Sequence, residues 1–226
     1  THKLFQTFQT NRARYVPGIE FTTATTNLRR PDQNLFQRFY TSNASQAYYD
    51  AGRVTLTVPR WRGATLNASY WFSKSIDEGS DYAVTGGGSE RWRGAGQTET
   101  GVQKDQRGLS NFDQPHSFML QGSWETGRGG RNWFARAYRG WSVTSVLLLK
   151  SGTPFSVDAG SDSPGFGNAD GTNGDRPNIL DPSILGRTIG DPDTSAQLLP
   201  RSAFGFIQAP LQMAGSVGRN TFRKGK

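Results

Sequence analysis

Two alternating runs that meet across a short connection, within residues 53–76, constrain this chain more than any other feature. Val54, Leu56 and Val58 alternate with Arg53, Thr55 and Thr57. Beyond Pro59-Arg60-Trp61-Arg62-Gly63, the residues Leu66, Ala68, Tyr70 and Phe72 alternate with Thr65, Asn67, Ser69, Trp71 and Ser73. A period of two sends successive side chains to opposite faces of a sheet, so each run has one apolar and one polar face. Two such strands joined by a few residues form an antiparallel hairpin. The open question is whether the apolar face meets a protein core or lipid.

Composition narrows the choice. Only 34% of the 226 residues are hydrophobic, and the mean hydropathy of −0.64 is low for an ordinary core. Disordered chains are poor in aromatics, whereas this one has six Trp, seven Tyr and 14 Phe. With 28 Gly and 11 Pro, it reads as a β-rich chain with sparse, alternating apolar positions and much loop. The net charge of +8 is spread over Arg29-Arg30, Arg60, Arg62, Arg91, Arg93, Arg128, Arg131, Arg136, Arg139 and the segment 219–226. Most of these sit beside glycine in turns, which reads as a solvated surface and not as a nucleic-acid track. Cysteine is absent, so there is no disulfide framework and no thiolate metal site. No window approaches 18 apolar residues, which excludes transmembrane helices. Barrel strands need only about 9–11 alternating residues.

Strands and loops differ sharply in length. Residues 3–9 read as a strand, 11–46 as a polar segment with turn signals, and 47–58 with 64–76 as the hairpin. A Gly-, Ser- and Asp-rich loop fills 77–115. Residues 116–125 alternate again, with Phe118, Leu120 and Trp124 on one face and Ser117, Gln121, Ser123 and Glu125 on the other. A basic turn over 126–139 leads to the most apolar strand, 140–150, and a second long loop runs through 151–215. Compact soluble domains keep most connections near four to six residues. Outer-membrane barrels pair short turns on one side with long loops on the other, and carry aromatic girdles at both interfaces. Tyr48, Tyr49, Trp61, Tyr70, Trp71, Phe72, Trp124, Trp133, Phe134, Tyr138, Trp141 and Phe155 fall near strand ends. Loop asymmetry and aromatic placement together favour an all-β, antiparallel up-and-down transmembrane β-barrel segment of about five strands. Five strands do not close, since single-chain barrels start at about eight.

Several segments also occur in an order that resembles the C-terminal barrel region of Oar-like TonB-dependent receptors. They are Arg29-Arg30-Pro31-Asp32, then Ala47-Tyr48-Tyr49-Asp50-Ala51, then Ala68-Ser69-Tyr70-Trp71-Phe72-Ser73-Lys74-Ser75-Ile76-Asp77. Next come Arg107-Gly108-Leu109-Ser110-Asn111-Phe112-Asp113-Gln114-Pro115-His116, the stretch from Gly140-Trp141 to Ser151-Gly152-Thr153-Pro154-Phe155, and Gly218-Arg219-Asn220-Thr221-Phe222-Arg223. The resemblance implies that residues 1–226 are a partial outer-membrane β-barrel domain, lacking the plug and the terminal strands. The family's large barrels have about 22 strands and a plugged lumen, so the expected whole is about four times larger.

On that reading Val54, Leu56, Val58, Leu66, Ala68, Tyr70, Phe72, Phe118, Leu120, Trp124, Val143, Leu147 and Leu149 face lipid. Thr55, Thr57, Asn67, Ser69, Ser73, Gln121, Ser123 and Thr144 face a wet lumen, and Lys74 and Asp77, at the outer end of the second strand, either pair with loop charges or, as the favoured reading, lie on a solvated rim. The implied function is ligand uptake across the bacterial outer membrane, with residues 77–115 and 151–215 as ligand-facing loops and no reaction catalysed. The implied partners are outer-membrane lipid, the rest of the receptor chain, the TonB complex reached through the N-terminal part, and a small ligand. No cofactor, metal or nucleic acid is expected.

Other chemistries are weaker. His2 and His116 are the only histidines, too few for a transition-metal site. Asn168, Asp170, Asn173 and Asp175 are spaced roughly like calcium-loop ligands but lack the bidentate Glu, which favours an Asx-turn loop. Asp77, Glu78 and Asp81 as a carboxylate hydrolase centre, and Asp113 with His116 as an acid–base pair, come without a nucleophile motif. Gly127–Gly130 is too short for a phosphate loop. The rival fold is a secreted β-sandwich binding carbohydrate or polyanion, which requires Trp124 and Trp141 to be buried in one core.

Overall fold

A computed structural model describes residues 2–36, 38–80, 97, 105–127, 133, 137, 140–159, 168–172, 174–190, 194 and 199–225. Its long strands are β1 (His2–Thr10), β2 (Arg38–Trp61) and β3 (Ala64–Asp77). After the two-residue β4 (Gly108–Leu109) come β5 (His116–Glu125) and β6 (Ser142–Lys150). They pair in the order β1-β2-β3-β5-β6, with β4 also on β3. Among the described residues nothing bonds β1 to β6, so the sheet is antiparallel and not closed.

The chain divides into two compact units. One comprises residues 50–74 and 114–151, and it contains the hairpin. The strands run up to Trp61 and resume at Ala64, so the turn is only Arg62-Gly63, shorter than the five-residue link that the sequence suggests. Both turn residues have positive φ, 49° and 85°, as the hairpin turn matching strand twist requires. Gly63 is needed both for its φ of 85° and because a Cβ there would lie 2.6 Å from the carbonyl oxygen of Glu125, whose N–H donates to the Gly63 carbonyl at 2.9 Å. Across the sheet, Ala68 pairs with Leu120 and Leu120 with Leu147, while Tyr70 pairs with Phe118 and Phe118 with Leu149.

The other unit comprises residues 1–49, 75–113 and 152–226. Here the structure corrects two readings. The polar segment 11–46 contains the first part of β2, which starts at Arg38 and pairs with β1 from His2↔Ala47 to Thr10↔Arg38. The stretch 151–215, read as loop, is folded. It holds β7 (Pro154–Phe155), β8 (Asn178–Ile179), β9 (Thr188–Ile189) and β10 (Phe204–Gly205), and β11 (Phe222–Lys224) follows it. β11 lies between antiparallel β7 and parallel β9, and β10 pairs with β8. Ile184, Ile189, Ala203, Phe204, Val217 and Phe222 form a buried core there, with Phe155, Val157, Ile179 and Leu199 against it.

Close backbone approach explains one glycine of the Ser-Gly-Thr-Pro-Phe segment. A Cβ on Gly152 would stand 1.9 Å from the Lys224 carbonyl oxygen, beside the bond from the Lys224 N–H to the Thr153 carbonyl. Gly152→Ala is therefore expected to lower the denaturant midpoint by the equivalent of about 1–3 kcal/mol, the usual cost of overpacking. Gly127→Ala, where a Cβ meets nothing within 4 Å, is expected to stay within about 0.5 kcal/mol of the parent.

Candidate functional site

Register places the apolar residues of β3, β5 and β6 on one surface of the 50–74/114–151 unit. Leu66, Ala68, Tyr70 and Phe72 share it with Phe118, Leu120 and Trp124, and these in turn with Val143, Leu147 and Leu149. On the neighbouring β2, Arg53 and Thr55 contact Ser69 and Trp71 on the opposite, polar face. Alternation then turns Val54 and Leu56 to the apolar face. Among the described residues nothing covers that face. Val54 is 71% exposed, Leu56 58%, Phe72 56% and Val143 53%, with Tyr70, Trp124, Leu147 and Leu149 also exposed. Val58, Leu66, Ala68, Phe118 and Leu120 are half-buried by their neighbours. None of the 13 belongs to the buried core, whose described residues all lie in the other unit. A soluble domain rarely exposes so large a contiguous apolar surface.

The opposite face is polar. Thr65 Oγ1 lies 2.6 Å from Ser123 Oγ, and Thr55 Oγ1 lies 3.3 Å from Ser69 Oγ. Thr57, Thr65, Asn67, Gln121, Ser123 and Thr144 line a hollow of about 300 Å³. One exception escaped the sequence reading. β6 places Leu148 opposite Met119 and Val146 opposite Gln121, so this edge strand is apolar on both faces. A continuous apolar run such as Val146–Leu149 shows no alternation by which its faces could be told apart.

Aromatics bracket the apolar face. Trp124 pairs with Ala64 and Val143 next to the short turn. Trp61 flanks that turn, and at the same end the Trp141 carbonyl accepts from the Thr126 N–H while the Trp141 N–H donates to Thr126 Oγ1. Phe72 and His116 pair at the other end, where the Tyr70 hydroxyl meets His116 Nδ1 at 2.7 Å. The eight steps from His116 to Trp124 span about 27 Å along the strand. Tilted by about 40°, that is about 20 Å of membrane depth, close to the apolar band of about 25 Å in outer-membrane barrels. The sandwich's requirement fails here, because Trp124 and Trp141 are 50% and 63% exposed.

In the other unit, arginines bind distant carboxylates. Arg219 Nη1 donates to Asp77 Oδ1 at 2.7 Å, and Nη2 donates to Ser80 Oγ at 2.7 Å. Asp77 is thus a buried partner and not a solvated rim residue. Arg223 pairs with Asp113, and Arg176 with Asp105. Burial pushes the Arg176 pKa below its ordinary value while Asp105 opposes the shift; a guanidinium starts so high that it stays charged. Asn220 Nδ2 donates to the Leu109 carbonyl at 2.7 Å and to Asn111 Oδ1 at 2.6 Å. Gln97 is a second hub, donating to Asp105 Oδ1 and the Gly215 carbonyl and accepting from Arg176 N–H.

Structural bonds also engage several of the groups weighed for catalysis or metal binding. Asp113 is engaged by Arg223 and by the Ser75 N–H, and Glu78 accepts from the Gln46 N–H. Asp81 and Asn173 lie outside the described residues. In the calcium-like loop, Asn168 Oδ1 accepts from Asp170 N–H, Asp170 Oδ1 from Thr172 N–H, and Asp175 Oδ2 from Asn168 N–H. Those are turn-closing bonds, and they tie Asn168 Oδ1, Asp170 Oδ1 and Asp175 Oδ2 to the loop's own backbone. Among the described residues no three metal-ligating side chains cluster.

An open antiparallel sheet with an uncovered apolar face, a polar reverse face and aromatic ends is the surface of a membrane β-barrel. The chain matches the family model described as an outer membrane beta barrel domain over residues 1–225, and it belongs to that family. It is accordingly a domain of the bacterial outer membrane. No curated protein and no solved structure matches it.

Proposed function

We propose that this domain is part of a TonB-dependent receptor that takes up a small ligand across the outer membrane and catalyses no reaction. The observation that carries the membrane half of this reading is the uncovered apolar face of β2, β3, β5 and β6, whose register and exposure suit lipid contact by the 13 named residues. The receptor half is supported by the ordered segments that resemble Oar-like receptors, and by a polar reverse face suited to a hydrated lumen. The partners of this reading are outer-membrane lipid, further strands and a plug from the same polypeptide, the energising TonB complex, and the ligand. Edge strands β1 and β6 leave backbone groups that lipid cannot satisfy, so further strands are required on both sides.

Fractionated source cells probed with an antibody against residues 77–115 are expected to show a heat-modifiable band in the outer membrane, several times heavier than 24.8 kDa. A soluble band near 24.8 kDa would overturn the barrel. The transport half is read separately, by crosslinking the intact receptor to the periplasmic domain of the energising protein. Failure to crosslink, with the heat-modifiable band present, removes the TonB reading and leaves an outer-membrane barrel.

A further inference from the structure

Three guanidinium groups are buried against the turn at residues 168–172. Arg29 is satisfied there, donating to the carbonyls of Ala169 at 2.6 Å and Thr22 at 2.8 Å and stacking on Phe21. Arg30 donates through Nη1 to the Asn11 carbonyl at 2.6 Å. It lies so close to Gly171 (φ 87°) that a Cβ there would stand 2.5 Å from Arg30 Nη2. Arg12 is 2% exposed and uses only Nη1, which donates to Asp170 Oδ2 at 3.3 Å. Its Nε and Nη2 have no hydrogen-bond partner, nor does the hydroxyl of Thr172, which is 3% exposed. Both residues flank the Asp170 carboxylate, since the Thr172 N–H donates to Asp170 Oδ1 at 3.0 Å.

Nε and Nη2 form the edge of a guanidinium that takes two adjacent oxygens side-on, the geometry of carboxylate and phosphate recognition. Buried donors of this kind are nearly always matched. A lone water offers one oxygen and no charge, whereas Arg12 presents a two-pronged cationic edge at a turn that also holds the Arg29 and Arg30 guanidinium groups. Non-glycine residues with positive φ supply two of the flanking carbonyls, Asn11 at 63° and Ala169 at 53°, and such backbone persists only where its surroundings enforce it.

We propose that Arg12 and Thr172, with Arg30 adding positive potential, form a binding site for a small inorganic oxyanion of the phosphate or sulfate type. The burial of Arg12 and Thr172 suits a free ion and not a tethered group. The ion would lock the N-terminal segment after β1 onto the 168–172 turn. This inference does not depend on TonB-linked uptake.

The test uses the intact receptor, purified in zwitterionic detergent without phosphate or sulfate. Equilibrium dialysis with labelled orthophosphate, and separately with sulfate, is expected to show saturable binding and a melting temperature raised above that in chloride of equal ionic strength. Arg12→Lys keeps the charge but loses the fork, and should weaken binding by at least about tenfold. Thr172→Val should weaken it by less, and Arg60→Lys, on an exposed arginine, should leave it unchanged. If both anions act no differently from chloride, or if Arg12→Lys binds as the parent does, the site does not exist. Should Arg12→Lys fail to give the heat-modifiable form, the parent titration and Thr172→Val decide the matter.

Discussion

Arg219→Ala is expected to destabilise the protein by about 3–5 kcal/mol, the usual cost of removing one partner of a buried ion pair. The Arg219 and Asp77 side chains are 5% and 6% exposed. Besides Asp77 Oδ1, Arg219 Nη1 donates to the carbonyls of Asp77 at 3.1 Å and Gln106 at 3.2 Å. Truncation therefore leaves the buried Asp77 carboxylate without its cation, with the Ser80 hydroxyl still donating to it. The end of β3, the segment before β4 and the residue just ahead of β11 are held by that one side chain. Denaturant titration in micelles, read by tryptophan fluorescence, measures the loss. Arg219→Met combined with Asp77→Leu should recover much of it, because the main penalty is the unpaired charge and not the lost attraction. The exposed pair Arg60–Glu125, at 3.4 Å with 73% and 61% exposure, is the control. Arg60→Ala should cost no more than about 1 kcal/mol. Equal losses at the two sites would show that the Asp77 pair is not buried in the protein.

The same side chains explain why part of this fold was legible and part was not. The hairpin and the strands at 116–125 and 142–150 could be read because one face is apolar, which makes the period of two visible. The first part of β2, Arg38–Gln46, sets Phe39 and Tyr40 side by side and continues mostly with small polar residues, so no period of two marks its pairing with β1. The core around Phe222 could not be read for a different reason. Ile189 and Phe204 sit in strands of two residues, Ile184 ends a three-residue 3-10 helix and Val217 lies outside any regular element, so no periodic run marks them. The segments that carry the receptor resemblance turn out to bind one another. Arg219 reaches Asp77, Asn220 reaches Leu109 and Asn111, and Arg223 reaches Asp113. Their residue types are fixed by mutual contacts across more than a hundred positions, which sequence order alone cannot display. The oxyanion site was equally hidden: Arg12 and Asp170 are 158 positions apart.

Leu120→Arg should cost about 2–4 kcal/mol when the intact protein is unfolded from phospholipid vesicles, the penalty for a cation near the bilayer midplane of a barrel. Leu120 lies midway along β5, between Ala68 and Leu147 on the apolar face. Its neighbour Gln121 points to the opposite face, opposite Asn67 and Val146. Gln121→Arg should fall within about 0.5 kcal/mol of the parent, as exposed polar substitutions do. At the aromatic end, the charge introduced by Trp124→Arg should cost only about 0–1 kcal/mol, because that position sits at headgroup depth. The gradient is the informative quantity. A face packed against another protein would penalise arginine according to local fit, with no order from Leu120 to Trp124. A face in water would register none of the three. Only a bilayer makes the cost fall with distance from the midplane while sparing the adjacent residue on the other side of the sheet, and equal costs at Leu120 and Gln121 would remove lipid from this surface.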